Sequence, residues 1–423
     1  MALKKRIEFE FKPPFILVKS QSLTSLFDRL ANWRVFSLFG WAAVASIPVI
    51  AASGLFLLLL SLQALLSRPE VQQAQREAGP QSLLLIPGLN PYLPIIYGWL
   101  GLVVALIVHE GAHGVLARKL GYSVKSSGLI LFTVLPIGAF VETDEGEMTK
   151  GRGRDVVRIL AGGPASNIVV AILSLGLLIL VTSGLQPLPM ITVERVISDS
   201  PAEDAGIQPG DIIAKVNGRA VTSLSVLAEA ISSAGYGGSV SLEVIRRGSE
   251  VLRIEVDVAD LGAGRPMIGV RLANAEMQEW ASSYLEVYKA RSLSNPLIFL
   301  LPPTFPNSLH PFSETQICAD STEQSPRCFT MTEIYKHQTI GDAYPIAANI
   351  LYWIWFVNFN VGIFNALPIY PLDGGQIFRR TLSTLLGSRI GEPGVRAATI
   401  AVSLAIVGIV LSLFLIPYLT LII

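Results

Sequence analysis

Residues 101–116 read GLVVALIVHEGAHGVL. They lie in an apolar run from about Leu93 to Leu116, in which His109, Glu110 and His113 are the groups that ionise near neutral pH or below. A run of that length covers the hydrocarbon core of a bilayer as a helix. Two imidazoles four positions apart share one helical face and can reach one ion. Glu110, beside the first of them, reaches a water on that ion. Zinc brings the pKa of such a water to about 7, where a carboxylate can take its proton. Ionisable groups at membrane depth are costly and mark functional sites. On these residues alone, a polar cluster that only joins helices remains the alternative. The chain has only four histidines, so two at this spacing with a glutamate between them carry weight.

The rest of the chain fits a membrane setting. Of 423 residues, 51% are hydrophobic and 15% charged, with a mean hydropathy of +0.53. Soluble domains carry about a quarter charged residues. Formal net charge is zero, from 32 basic and 32 acidic residues, and nothing in that balance points to nucleic acid. No signal-peptide pattern is expected, because the first 33 residues mix polar and apolar types. Further spans are expected at roughly Phe36 to Leu66, Val156 to Val181, Ile346 to Leu367 and Val395 to Ile416. A sixth, re-entrant piece is conceivable near Pro296–Pro303 or in the long C-terminal stretch.

Lys and Arg set the orientation of short loops. They crowd the N-terminal arm (Lys4, Lys5, Arg6, Lys12, Lys19, Arg29, Arg34), the segment after the second span and the segment after the fifth. The first loop carries only Arg68 and Arg76. Five spans with the N-terminus inside satisfy this, and the region from about 183 to 345 then lies outside. Cys318 and Cys328 both fall there. In an oxidising compartment they form a disulfide, the alternative being two free thiols.

A hydrolytic zinc has three protein ligands and an open position. His310 and His337 are expected on the far side of the membrane, so a carboxylate is sought. Asp373 qualifies by position in NALPIYPLDGG (365–375), where prolines and glycines break the helix. Taken alone it also reads as a turn residue beside glycines. GGPASN (162–167) opens the third span with small residues that let helices approach closely. Direct contact of Asn167 with the site is the second reading of that motif. Tyr122 to Glu142 reads as a β-hairpin or re-entrant loop, either purely structural or offering an edge strand to an unwound substrate. Residues 190–258 read as a small α+β domain. There SPAEDAGIQPGDIIAKVNG resembles the core of a PDZ domain and Met267 to Leu272 a strand completing a permuted version.

Together HEGAH (109–113), GGPASN, the PDZ-like insertion and NALPIYPLDGG resemble, in type and order, the site-2 protease family of intramembrane metalloproteases. The resemblance covers most of residues 93–380. It implies one catalytic Zn2+ held by His109, His113 and Asp373, with Glu110 as general base. It also implies that Asn365 helps hold substrate or the oxyanion. The expected fold is a polytopic α-helical membrane protein of about five to six transmembrane helices with an inserted α+β PDZ-like domain. The expected order is a cytoplasmic arm (1–34), a membrane region with the HExxH motif and hairpin (35–188), the PDZ-like domain (189–272), an extracytoplasmic insertion (273–345) and a second membrane region (346–423). The expected function is regulated intramembrane proteolysis in the cell membrane. Its partners are transmembrane protein substrates, lipid and a peptide ligand of the PDZ-like domain. A scaffold with a dead metal site and a metal transporter compete with it. Neither needs the intact pairing of Glu110 with two histidines.

Overall fold

The computed structural model describes residues 7–20, 24–132, 135–187, 191–221, 224–246, 250–262, 264–273, 275–306, 308–319 and 327–419. Five helices are long and apolar enough to cross a membrane, designated α1 (Val35–Ser67), α2 (Ile95–Lys119), α3 (Gly153–Ser183), α4 (Tyr344–Ala366) and α5 (Asp373–Leu419). Among the described residues there is no sixth, and Pro296–Leu300 is a single 3-10 turn. The last helix starts well before the apolar run that marked it in sequence. It begins at Asp373 and breaks at Gly391, where φ is 66°. The chain forms two compact units, residues 1–177 with 350–423, and residues 178–349.

In the first unit the helices meet through small residues. A Cβ at Gly54 would collide with Ile363 at 2.5 Å, and one at Gly101 with the Trp353 carbonyl at 2.7 Å. Ala43, Ile47, Val156, Leu160, Ala161, Ala165, Ile363 and Ala366 form a buried cluster between α1, α3 and α4. The outward faces are apolar too, with Leu38, Ile96 and Ile172 each more than 60% exposed. Apolar outward faces suit lipid, which competes with the core on equal terms, so close packing of small residues holds the helices together.

Four antiparallel strands pack beside α2 in the order β1 (Ile7–Lys12), β2 (Phe15–Ser20), β3 (Val124–Phe132) and β4 (Leu135–Thr143). The hairpin read from Tyr122 to Glu142 is β3–β4. The segment read as an arm supplies β1 and β2, which pair along β3 from Phe15↔Phe132 to Ser20↔Ser127. Its alternation in sequence spans only six residues, and its partner lies more than a hundred residues away, so no local signal announced the pairing.

In the second unit one sheet orders strands Glu250–Asp257, Ser239–Arg246, Ile212–Val216, Ile191–Val196 and Val270–Ala273, with Arg219–Ala220 paired to Ile212–Val216. Helices Pro201–Asp204 and Leu224–Ala234 complete the PDZ-like domain. Ser200 caps the first helix by accepting from the Glu203 N–H, and the Asp199 N–H donates to Glu203 at 2.7 Å. Buried Asp211 receives both Nε and Nη2 of Arg246 at 2.8 Å, a bidentate pair. After it come helix Ala275–Ser294 and an irregular segment folded around His310. Strands Gln316–Ala319 and Arg327–Thr330 set Cys318 directly opposite Cys328 in register. Cross-strand neighbours have Cα separations within the range a disulfide bridges. The two cysteine side chains, and with them the expected bond, lie outside the described residues.

Candidate metal centre

α2 carries His109 and His113 on one face, as a four-residue spacing requires. The rings are 4.8 Å apart and nearly perpendicular, at 81°. Asp373 is the first residue of α5. Its Oδ2 lies 3.0 Å from His109 Nε2 and 3.3 Å from His113 Nε2. All three side chains are at most 13% exposed.

The three atoms approach closely, yet Asp373 Oδ2 has no hydrogen-bond partner of proper geometry. His113 Nδ1 is spoken for by the Ile159 carbonyl at 2.8 Å. A carbonyl only accepts, so Nδ1 carries the proton and Nε2 presents a lone pair. Around a tetrahedral zinc with donors at about 2.1 Å, those donors stand about 3.4 Å from one another. Two imidazole nitrogens and one carboxylate oxygen, buried and aimed at a common point, fit that ion in type and spacing.

The surroundings fix this arrangement. α3 meets α2 at Ser166, whose hydroxyl is shared between the Gly163 carbonyl at 2.7 Å and the Val108 carbonyl at 3.1 Å, and at fully buried Asn167, which donates to the Ala105 carbonyl at 3.4 Å. Asn167 therefore steadies the backbone one turn before His109. Gly163 faces the ion site. A Cβ there would lie 2.5 Å from His113 Nε2 and 2.7 Å from His109 Nε2. In sequence this glycine looks like any small packing residue, and only the fold reveals that it faces both imidazoles.

The Asp373 turn is equally constrained. Cβ atoms at Gly374 and Gly375 would run into the backbone of Ala366 and of Ile369–Tyr370. Ser403, far along α5, accepts the Tyr370 N–H at 3.0 Å, and its single hydroxyl proton lies between the Thr399 carbonyl at 2.8 Å and the Pro368 carbonyl at 3.3 Å. Asn365 donates to the Val361 carbonyl one turn back on its own helix. Glu110 Oε2 accepts the Val141 N–H of β4 at 3.0 Å, which sets the edge of the sheet beside this carboxylate. Of the other histidines, His310 is buried in the second unit, where Tyr288 and the Leu301 carbonyl hold it. His337 Nδ1 accepts the Thr339 and Ile340 N–H groups.

Comparison with known proteins gives four findings. The profile described as Peptidase family M50 matches residues 97–410. An uncharacterized protein of Methanocaldococcus jannaschii is 31% identical over 198 residues, 47% of this chain and 50% of that protein. The chain thus spans half the length of this relative. A Clostridium perfringens protein named "Putative zinc metalloprotease" is 25% identical over 341 residues, 74% of this chain and 95% of that one. Among solved structures, the PDZ domain of the SdrC-like protein from Listeria monocytogenes covers 20% of this chain and 88% of its own, with 26% identity and a TM-score of 0.19.

Proposed function

The chain belongs to peptidase family M50, and on that premise we propose that it is a zinc metalloprotease that hydrolyses peptide bonds within or near transmembrane segments of other membrane proteins. The convergence of His109, His113 and Asp373 between membrane-spanning helices carries this reading. His109, His113 and Asp373 would hold one zinc ion, which would supply a Lewis acid and lower the pKa of a water to about 7. Glu110 would take a proton from the water that attacks the scissile carbonyl and return it to the leaving amine. Asn365 holds the substrate carbonyl after turning away from Val361. The resemblance of NALPIYPLDGG to its family motif supports that role.

A transmembrane helix satisfies its amide groups internally and must unwind before its backbone can be cut. The unwound stretch pairs with the edge of β4, whose Val141 N–H already points at Glu110. The PDZ-like domain filters substrates by binding peptide at a sheet edge. The chain is an integral membrane protein. Its N-terminus lies in the cytoplasm and the region from about 183 to 345 lies outside, in keeping with the Lys and Arg of the arm and of the segment after α2. The deciding experiment is Glu110→Gln in the full chain, with zinc content and cleavage of a transmembrane reporter measured together. Zinc stays and cleavage falls by about 10²–10⁴-fold or more. Near-normal turnover would remove Glu110 from the mechanism.

A further inference from the structure

The sheet beside α2 has two unlike faces. Residues opposite each other in an antiparallel sheet share a face. The register rows Phe9↔Val18↔Leu129 and Phe11↔Ile16↔Leu131 therefore lie on one side. These two rows are apolar across three strands, and the next row on the same face ends in Ser20 and Ser127. Phe9 and Phe11, at its outer edge, are 73% and 70% exposed, so nothing among the described residues covers them. On the opposite face the first strand of the hairpin carries only charges, Glu8, Glu10 and Lys12, and the second carries Lys19 with Leu17 and Phe15; Glu10 pairs with Lys12 at 2.9 Å and with Lys19 at 2.8 Å.

The position of the sheet says what covers the apolar face. Its other end, at Val141, packs into a cluster with Val115 and Leu116 of α2, Ile159 of α3 and Phe27 of the short helix Thr24–Ala31. Val141 also binds Glu110, which stands nine residues before the charged end of α2 at Lys119. At 1.5 Å per residue that is about 13 Å along the helix. The sheet thus starts from within the span of a membrane helix, and its apolar face continues outward from the core of that helix. Exposed backbone edges and aromatic rings at such a level meet either lipid or a water-filled cavity. Two adjacent phenylalanines on one side and paired charges on the other divide these between the faces.

We propose that the N-terminal hairpin, residues 7–20, is a lipid-contacting element in which Phe9 and Phe11 face acyl chains while Glu8 and Lys12 face water. The hairpin lies outside the stretch matched by the family profile, which begins at residue 97. The inference stands apart from the proposed hydrolysis and does not need an active enzyme. The hairpin shields the outer edge of β3, so β4 is the strand edge left beside Glu110.

The test places benzoylphenylalanine at position 8, 9, 11 or 12 of the full chain in phosphatidylcholine nanodiscs, followed by irradiation and mass spectrometry. These positions are solvent- or lipid-exposed, and at 9 and 11 the change is aromatic for aromatic, so strand pairing is kept. A mass increase of one phosphatidylcholine at positions 9 and 11, and none at 8 and 12, is expected. Protein adducts at 9 and 11 would identify a second copy or a protein partner as the occupant. Such adducts, or equal lipid adducts at all four positions, or no adduct at 9 and 11, overturn the proposal.

Discussion

The backbone N–H of Val141 donates to Glu110 Oε2 at 3.0 Å, so a strand of the sheet holds the carboxylate that flanks the first metal-site histidine. Hydrogen bonds to an ionised acceptor are worth about 1.5–3 kcal/mol. Val141→Pro removes this donor, and proline is tolerated at a strand edge. Turnover of a transmembrane reporter is expected to fall about 10- to 100-fold in kcat, with zinc retained. An unchanged kcat would show that Glu110 finds its position without β4.

Asp373→Ala leaves two imidazoles for an ion that takes three protein ligands. Zinc per chain, by atomic absorption, is expected to drop well below one, and cleavage to be lost. Glu147→Ala serves as the control. Glu147 accepts from the Ser123 N–H at 2.7 Å and ties the loop after α2, away from the three donors. It should change neither zinc content nor cleavage. A folded, fully loaded and active Asp373→Ala protein would move the third ligand elsewhere.

Two glycines near the centre should answer differently to one methyl group. A Cβ at Gly163 meets both metal-facing nitrogens, whereas a Cβ at Gly111, inside HEGAH itself, meets nothing within 4 Å. Gly163→Ala should weaken zinc binding by on the order of 10-fold or more, as displaced ligands do. Gly111→Ala should keep zinc and add up to about 1 kcal/mol of helix stability. Equal zinc affinities in the two variants would contradict the geometry.

His310 makes the second unit sensitive to acid. Its ring is 4% exposed, between Phe299 and Phe312, and burial lowers its pKa from 6.5 to about 4. The Leu301 carbonyl only accepts, so Nε2 carries the proton and Nδ1 accepts from Tyr288, a neutral tautomer. The folded pKa lies below the unfolded one. Stability is therefore intact above pH 6.5 and falls as pH drops towards 4, where only the unfolded chain takes the proton. The loss approaches about 3 kcal/mol. Hydrogen exchange of strand Tyr335–His337 should quicken between pH 6.5 and 4 beyond the ordinary pH effect, and His310→Phe should abolish the excess. The same excess in His310→Phe would assign the acid sensitivity to another group.

The sequence alone determined the five spans, because bilayer thickness demands runs of apolar residues and these are local. It put His109 and His113 on one helical face with Glu110 beside the first, because helical periodicity alone brings residues four apart together. It marked Asp373 by motif, and the PDZ-like insertion by its turn and capping residues. What lay beyond it came from contacts between distant segments. Ile159 orients His113, Gly163 makes room for both imidazoles, and Ser403 fixes the Asp373 turn. Asn167 braces the backbone at Ala105, and Asn365 bonds within its own helix. The pairing of residues 7–20 with β3 belongs to the same class. A strand's partner is chosen by hydrogen-bonding edges brought together in space, and six alternating residues carry no record of which edge that will be.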